Sequence, residues 1–187
     1  MKNVYIGGVP RAGKSTLAQK LYHKLGYSVF ELDTVVHSFT KIFPELGISE
    51  KKKEDLDKNF APFAYEMLKC CDKDRKYGNI KVVINGFHLS PETISKFSKV
   101  ENMIVIFLGM SDVTKEELLV NIKGTQEEGD WTLNYTDEQM LKTCQKLIDK
   151  SKNIKKQCEQ YGFMYYDTST NREKTLNEIV DLLQKIN

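Results

Sequence analysis

Arginine is scarce in this sequence of 187 residues. Of its 28 basic residues only Arg11, Arg75 and Arg172 are arginines, and 26 acidic residues nearly balance the total, leaving a formal net charge of +2. Without a strong field of one sign, neither nucleic acid nor a membrane surface is an expected partner. The scarcity also bears on phosphate binding, because arginine is the side chain that contacts phosphate with two parallel hydrogen bonds.

Long apolar runs are missing as well. The longest, residues 103–110, is far shorter than the ~18 residues that a membrane-spanning helix requires. Near the N-terminus, Arg11 and Lys14 interrupt any apolar stretch of the kind found in a signal peptide. We therefore expect a cytoplasmic protein.

The cysteines give no sign of a metal site. Cys70, Cys71, Cys144 and Cys158 form no C-x-x-C pair and have no histidine near them at ligand spacing. This pattern predicts buried or half-buried thiols in a reducing compartment.

What the sequence does contain is a regular alternation of apolar runs and helical patterns, over a chain of the length of one domain. A helix over residues 14–25 is indicated by leucines at helical spacing and by Gly26, which is typical of a helix end. Capping signals mark further helix starts at Ser90, Thr136 and Thr170.

Five apolar runs predict strands over residues 3–8, 27–33, 80–85, 102–109 and 162–167. The third and fourth runs are continuously apolar, which is typical of strands covered on both faces in a parallel sheet. Together with the helices between them, they predict an α/β fold: a three-layer, doubly wound, five-stranded parallel sheet with flanking helices.

Two segments interrupt the alternation. Residues 43–58 are charged and lead into a predicted helix over 60–74, so we interpret 43–74 as a substrate-binding excursion from the single domain 1–187. Residues 123–135 are polar and lie between two predicted helices. Loops of this length are often functional lids, and an ordinary mobile connector is the alternative.

One motif carries most of the functional information. Residues 8–15, GVPRAGKS, match the Walker A pattern G-x-x-x-x-G-K-[ST] between a predicted strand and a predicted helix. Its glycines allow backbone N–H groups to turn toward phosphate oxygens, and the helix start attracts the same anion. Lys14 supplies a charge for the outer phosphates and Ser15 a hydroxyl for Mg²⁺. The predicted nucleotide-binding residues are Gly8, Val9, Pro10, Arg11, Ala12, Gly13, Lys14, Ser15 and Thr16.

Several classes of P-loop protein are disfavoured. The third strand ends in Asn85-Gly86 and the fourth in Gly109, without the adjacent acids of a motor ATPase, and the D-x-x-G and N-K-x-D motifs of a GTPase are absent. With its Walker A loop near the N-terminus, and with Glu31 and Asp33 at the end of the second predicted strand, the chain resembles the small-molecule kinases of the adenylate-kinase-like group, which includes shikimate kinase.

The resemblance implies ATP- and Mg²⁺-dependent phosphoryl transfer to a small-molecule acceptor, catalysed by a monomer or homodimer that binds ATP and ADP. It implies a P-loop fold with a small lid over residues 123–135. The alternative is a nucleotide-binding regulatory or toxin-like protein with weak NTPase activity, because this lid contains no arginine.

The resemblance also assigns roles to the acids at the end of the second predicted strand. In shikimate-kinase-like members an acid-x-acid pair ends the second strand beside the γ-phosphate, and Glu31 and Asp33 stand at that place. Two residues apart on a strand, they are expected to face the same side. Asp33 would be a catalytic base or a Mg²⁺ ligand, alongside Lys14 and Arg11 as catalytic residues. The other interpretation of Asp33 is an N-cap of a helix beginning at Thr34.

The turn after the third strand is where such kinases admit the acceptor. Residues 83–91 are particularly similar to the 2-phosphoglycerate-kinase and zeta-toxin-like pattern, with Asn85 in place of an acid. The resemblance implies acceptor contacts from Asp33, Asn85, Gly86 and His88. Packing at a strand–helix corner is the alternative for His88.

The predicted lid departs most from the family pattern. Related lids bring arginines over the phosphates, but here Lys123 and Arg11 are the nearest cations. Either Arg11 clamps the phosphates and Lys123 contacts substrate, or the lid recognises a cationic or polyhydroxylated acceptor. Trp131 would stack on a ring or pack the lid down. Arg172, in the loop after the last strand, is expected on the face of the nucleotide base.

Overall fold

A five-stranded parallel sheet in the order β2-β3-β1-β4-β5 forms the centre of the computed structural model, which describes residues 2–48, 56–73, 81–97 and 103–186. The strands are β1 (Asn3–Gly8), β2 (Ser28–Glu31), β3 (Val82–Asn85), β4 (Met103–Gly109) and β5 (Met164–Asp167). All four pairings between neighbouring strands are parallel. The predicted doubly wound α/β architecture is confirmed.

Helices cover the two faces of the sheet. They are α1 (Lys14–Leu25), α2 (Leu32–Ile42), α3 (Ala61–Lys73), α4 (Pro91–Ser95), α5 (Lys115–Lys123), α6 (Asp137–Tyr161) and α7 (Arg172–Ile186). Short 3-10 segments occur at Pro44–Leu46 and Trp131–Asn134, and a π-helical turn at Leu56–Phe60 leads into α3. Helix α1 packs against α7, whereas α4 and α5 pack against α6, which gives the outer layers.

The core lies around the three middle strands. Every residue of β1 is buried, and Tyr5 of β1 meets Phe107 of β4 edge to face with ring centroids 5.9 Å apart. Val83 and Ile84 of β3 and Ile106 of β4 are fully buried. Coverage of these strands on both faces explains why the sequence shows continuous rather than alternating apolar runs.

Three predicted strands are longer than the observed ones, and the third of the five begins at Val82. The run over 27–33 ends as a strand at Glu31, because Leu32 and Val36, four residues apart, are buried as one face of α2. The fifth strand begins at Met164, because Gly162 takes a left-handed φ of 73° and ends α6. Positions 80 and 102, the first residues of the third and fourth predicted strands, lie outside the described residues.

Two of the three predicted caps are confirmed. Ser90 and Thr136 each accept the backbone N–H of the third residue of their helix. The prediction for Thr170 is wrong, because α7 begins at Arg172 and Asn171 Oδ1 accepts the N–H of Lys174 at 3.1 Å. The cap therefore lies one residue later than expected.

The remaining expectations on segments and thiols are met in part. Cys144 and Cys158 are buried and Cys71 is half-buried, but Cys70 is exposed on α3. Residues 49–55 of the predicted excursion, with most of its charged run, lie outside the described residues. Within the part of the chain that is described, no helix is long and apolar enough to cross a membrane.

Gly8 is expected to tolerate no side chain, because its φ is +125° and a Cβ atom there would lie 1.9 Å from the Leu108 carbonyl oxygen. Gly8→Ala should lower the free energy of unfolding by about 3 kcal/mol or more, since strained backbone and steric overlap add. Gly162→Ala is the matched control: its φ is +73° but no described atom lies within 4 Å of the added carbon. That variant should lose only about 1–2 kcal/mol. Equal losses in urea denaturation would contradict the close contact of β1 with β4.

Candidate active site

The Walker A loop, residues 9–13, connects the carboxyl end of β1 to α1. Its first N–H donates to the carbonyl oxygen of Leu108 in β4 at 3.2 Å. On the other side, the Thr168 hydroxyl lies 3.0 Å from the carbonyl oxygen of Ala12 and 3.2 Å from that of Gly109. The loop is thereby fixed to the ends of β4 and β5, beside the reversal of strand order at which open α/β sheets bind ligands.

Lys14 begins α1 and turns its side chain back into the loop. Its Nζ donates to the carbonyl oxygen of Val9 at 2.8 Å, and the residue is only 9% exposed. Burial lowers the pKa of Lys14 from 10.5 to about 8; the charge of Asp33 opposes this shift and the charge of Lys150 adds to it. Lys14 therefore remains protonated at neutral pH, as a desolvated cation facing the predicted phosphate site.

Asp33 approaches the loop from the first turn of α2. Gly86 makes the approach feasible, since a Cβ there would lie 2.8 Å from Leu32 Cβ and 3.4 Å from Asp33 Oδ1. His88 Nε2 lies 3.1 Å from the same carboxylate oxygen. Burial raises the pKa of Asp33, but the hydrogen bond and charge of His88 and the charge of Lys14 outweigh it, so the net pKa is lowered. The carboxylate is ionised at neutral pH.

The expectation that Glu31 and Asp33 share one face of a strand is wrong. Glu31 is the last residue of β2 and Asp33 lies in α2, so the chain changes from strand to helix between them. Glu31 is exposed and borders an apolar groove with Phe30 and Phe39, away from the loop. The suggested N-cap role of Asp33 is also wrong, because Glu31 occupies the N-cap position and Asp33 is inside the helix.

The end of β3 and the turn after it contact the start of α1 and Asp33. Asn85 is 4% exposed and its Nδ2 donates to Ser15 Oγ at 3.3 Å. Buried His88 has Phe60 edge-on at 5.9 Å and Phe87 at 4.1 Å between ring centroids. His88 therefore packs at a strand–helix corner and contacts the carboxylate of Asp33, whereas its contact with the acceptor stays a prediction.

A polar cavity of about 700 Å³ lies between the Walker A loop and residues 123–135. On one side the cavity is bordered by basic and hydroxyl side chains, namely Arg11, Lys14, Ser15, Thr16 and Arg172. On the other side it is bordered by residues 127–131, which include three acids and Trp131. Arg172 packs against the loop, since its Cδ lies 3.3 Å from where a Cβ of Gly13 would be. Burial and the charge of Arg11 lower the pKa of Arg172.

Lys123 is predicted as a site residue, but the structure does not place it with the residues that border this cavity. It ends α5, is half exposed at its side chain, and its Nζ lies 2.5 Å from Asp137 Oδ1 at the start of α6. It does not border the polar cavity at the loop.

A second, smaller cavity of about 290 Å³ contains residues that the sequence did not reveal. It lies between the turn after β3 and one face of α6, which presents Lys150, Asn153 and Gln157. Lys150 Nζ stands 5.5 Å from the centre of the Phe87 ring, and Gln157 Oε1 is buried without a hydrogen-bond partner among the described residues. Spacings of three and four along a predicted helix mark one face, but only packing shows where that face points.

The chain thus combines a parallel sheet of order β2-β3-β1-β4-β5 with a Walker A loop at the carboxyl end of the central strand. No protein-family model matches the chain, and no curated protein matches its sequence. Solved structures do match over nearly the whole chain.

A shikimate kinase from Bacteroides thetaiotaomicron is similar over 99% of this chain and 97% of its own, with a TM-score of 0.58 and 15% identity. A gluconokinase from Sinorhizobium meliloti 1021 is similar over 99% and 93%, with a TM-score of 0.57 and 14% identity. A shikimate kinase from Acinetobacter baumannii in complex with shikimate is similar over 100% and 92%, with a TM-score of 0.59 and 15% identity. At these identities the likeness establishes the fold, and this is the fold that the sequence resemblance implied.

Lys14 should give the protein a distinctive dependence of stability on pH. With its pKa lowered to about 8 by burial, the folded protein loses this proton at lower pH than the unfolded chain, where lysine titrates near about 10.4. Between these values the unfolded state binds more protons, so the free energy of unfolding should rise with pH, by up to about 1.4 kcal/mol per unit. The difference between wild type and Lys14→Met, from urea denaturation at pH values from about 7 to about 10, isolates this group. A difference that does not change with pH would contradict the assignment.

Proposed function

We propose that the protein is an ATP- and Mg²⁺-dependent kinase that transfers a phosphoryl group to a hydroxyl of a small molecule. The observation that carries the proposal is the position of the ionised Asp33 beside Lys14 of the Walker A loop, with His88 in contact with the carboxylate. Phosphoryl transfer depends on neutralising charge and orienting the nucleophile, and a desolvated cation next to a carboxylate supplies both.

The nucleotide fits the larger cavity. Backbone N–H groups of the loop and the start of α1 would bind the phosphates, as in other helix N-termini that follow glycine-rich loops. Lys14 would bind the outer phosphates, with Arg11 beside it. Arg172 borders the same cavity, where its guanidinium can lie on the face of the base.

Mg²⁺ fits the oxygen donors next to the nucleotide cavity, since it prefers oxygen ligands and keeps several waters. Asn85 Oδ1 is buried and has no hydrogen-bond partner within the described chain, which leaves an acceptor atom near Ser15. Ser15 Oγ would hold the ion directly, and Asp33 and Asn85 would hold its waters. When bound, the ion neutralises phosphate charge.

The acceptor fits the smaller cavity. The neighbours named above are kinases of shikimate and gluconate, both hydroxylated carboxylic acids, and the cavity offers Lys150 to a carboxylate and the amides of Asn153 and Gln157 to hydroxyls. His88 borders this cavity and contacts Asp33. Asp33 would therefore accept the proton of the attacking hydroxyl, while His88 keeps the carboxylate oriented.

The two segments outside the simple strand–helix alternation fit this division. Residues 123–135 are proposed as the lid over the nucleotide. The excursion 43–74 is proposed as the acceptor side, because Leu56 borders the smaller cavity and Phe60 packs against His88.

A nucleotide-binding regulator with weak NTPase activity is the second candidate. The observation that favours it is the acidic lid, since Glu127, Glu128 and Asp130 border the cavity in which phosphates would lie. A panel of hydroxylated carboxylic acids, sugars, aminoglycosides, nucleosides and phosphoglycerates, each incubated with protein and Mg-ATP, separates the two. Stoichiometric phosphorylation of one acceptor supports a kinase; slow ATP hydrolysis with no phosphorylated product supports the regulator.

Lys14→Ala should reduce ATP-dependent phosphorylation by about 100-fold or more, because the charge that stabilises the transferring phosphate is lost. Lys24→Ala is the control, since Lys24 is exposed in the last turn of the same helix. Acceptor phosphorylation is followed by mass spectrometry, and circular dichroism checks that both variants fold. Full activity in Lys14→Ala would remove the basis of the proposal.

Asp33→Asn should lower kcat by about 100-fold or more while changing nucleotide affinity little, because a general base is removed and the phosphate contacts remain. Glu31→Gln serves as the matched control, two residues away but on the far side of α2. Its kcat should stay near that of wild type. Equal effects of the two substitutions would argue against a specific role for Asp33.

A further inference from the structure

The Walker A loop carries an arginine that is bound to the lid. Arg11 has a left-handed φ of 67°, and its guanidinium forms an ion pair with Asp130. A second nitrogen of the same group donates to the carbonyl oxygens of Ile122 and Thr125, both at 3.2 Å, and to Thr125 Oγ1 at 2.9 Å. The backbone of a non-glycine residue is strained in the left-handed region, and such strain persists where surrounding contacts fix the residue.

Asp130 uses its two carboxylate oxygens for two different tasks. Oδ1 accepts the N–H of Thr132 at 3.0 Å and its hydroxyl at 2.9 Å, which caps the 3-10 segment of the lid. Oδ2 holds Arg11. Partial desolvation raises the pKa of Asp130, but the bonds from Thr132 and the charge of Arg11 outweigh it and lower the pKa. The carboxylate of Asp130 therefore both caps the turn of the lid and pairs with Arg11 of the loop.

The ion pair is shielded from water, since the side chains of Arg11 and Asp130 are 16% and 8% exposed. It therefore differs from the exposed pairs that contribute little. One donor of Arg11 is still unused: its Nε is buried and has no hydrogen-bond partner among the described residues, and the same holds for Nε of Arg172. Both arginines border the nucleotide cavity. The two guanidinium groups thus bring positive charge to this cavity for an anionic ligand such as phosphate.

We propose that Asp130 is a positioning residue for phosphoryl transfer. The lid brings no cation of its own to the phosphates; through Asp130 it holds the guanidinium of Arg11 in place at the Walker A loop, beside the proposed phosphate site. This rests on the proposed kinase function. The lid thereby controls the direction of Arg11, whereas the positive charge of the loop is present whether or not the lid is in place.

Asp130→Asn separates this role from the capping role. Asparagine caps helical segments as well as aspartate does, so the lid turn keeps its acceptor for Thr132. The charge-assisted bond to Arg11 is lost. We expect kcat to fall about tenfold or more, as for loss of a hydrogen bond between charged groups, with the KM for ATP changed much less. Arg11→Lys should cause a similar fall, and the double variant should be no worse than either single one.

Glu128→Gln tests the competing explanation that lid acids merely repel phosphate. Glu128 borders the same cavity, and no contact joins it to Arg11 in the described structure. Its neutralisation should tighten ATP binding. If Asp130→Asn acts in the same direction, or leaves kcat unchanged, the positioning role is overturned while the kinase function stands.

Trp131 provides a second readout that does not need turnover. It is the only tryptophan and lies next to Asp130 in the lid. Mg-ADP should change its fluorescence in wild type, and the change should be lost in Asp130→Asn and Arg11→Lys although calorimetry still detects binding. If no acceptor is phosphorylated but this pattern holds, the kinase function fails and the coupling of lid to loop stands. An unaltered fluorescence response in both variants overturns the coupling, and absence of Mg-ADP binding to wild type overturns both proposals.

Discussion

The close contact of Gly8 with the backbone of β4 determines where the rest of the site can lie. Only a residue without Cβ can stand that near the Leu108 carbonyl, and this brings the Walker A loop and the start of α1 to the carboxyl edge of the sheet. Gly86 has the equivalent role on the neighbouring strand, since it lets α2 approach with Leu32 in van der Waals contact. Two glycines at the ends of adjacent strands thus allow Lys14 and Asp33 to lie near enough to interact.

That proximity explains how two ionised groups persist in a largely desolvated place. Burial alone would favour neutral Lys14 and neutral Asp33, because it disfavours the charged form of each. Each charge stabilises the other, and His88 adds a contact to the carboxylate. For Asp33 the neighbouring charges outweigh burial, because its pKa is lowered and the charged carboxylate is favoured. For Lys14 burial outweighs the charge of Asp33, because its pKa is lowered and the neutral amine is favoured relative to an exposed lysine. A lysine in this state gains most from an anionic ligand.

The sheet could be predicted from the sequence because covered parallel strands produce continuous apolar runs, and the Walker A loop because its glycines are local requirements. The start of α2 could not be placed, although the spacing of Leu32 and Val36 is a helical signal, because the preceding apolar residues continue the strand pattern into it. The polar face of α6 with Lys150 could not be predicted, since the direction of a helix face depends on tertiary packing. The contact of Arg11 with Asp130 joins residues 119 apart, and no local pattern encodes it.

The scarcity of arginine has a different meaning once the contacts are known. Two of the three arginines, Arg11 and Arg172, border one cavity, so the residues best suited to phosphate are concentrated at a single place. An arginine carried on a lid leaves the phosphates whenever the lid opens, whereas Arg11 belongs to the loop and stays. In the proposed kinase, nucleotide binding would use the charge of Arg11 whatever the position of the lid, whereas phosphoryl transfer would require Asp130 to orient Arg11. An acidic residue in the proposed lid would in that case be compatible with phosphoryl transfer, because the negative charge of Asp130 acts on Arg11 and not on the phosphate.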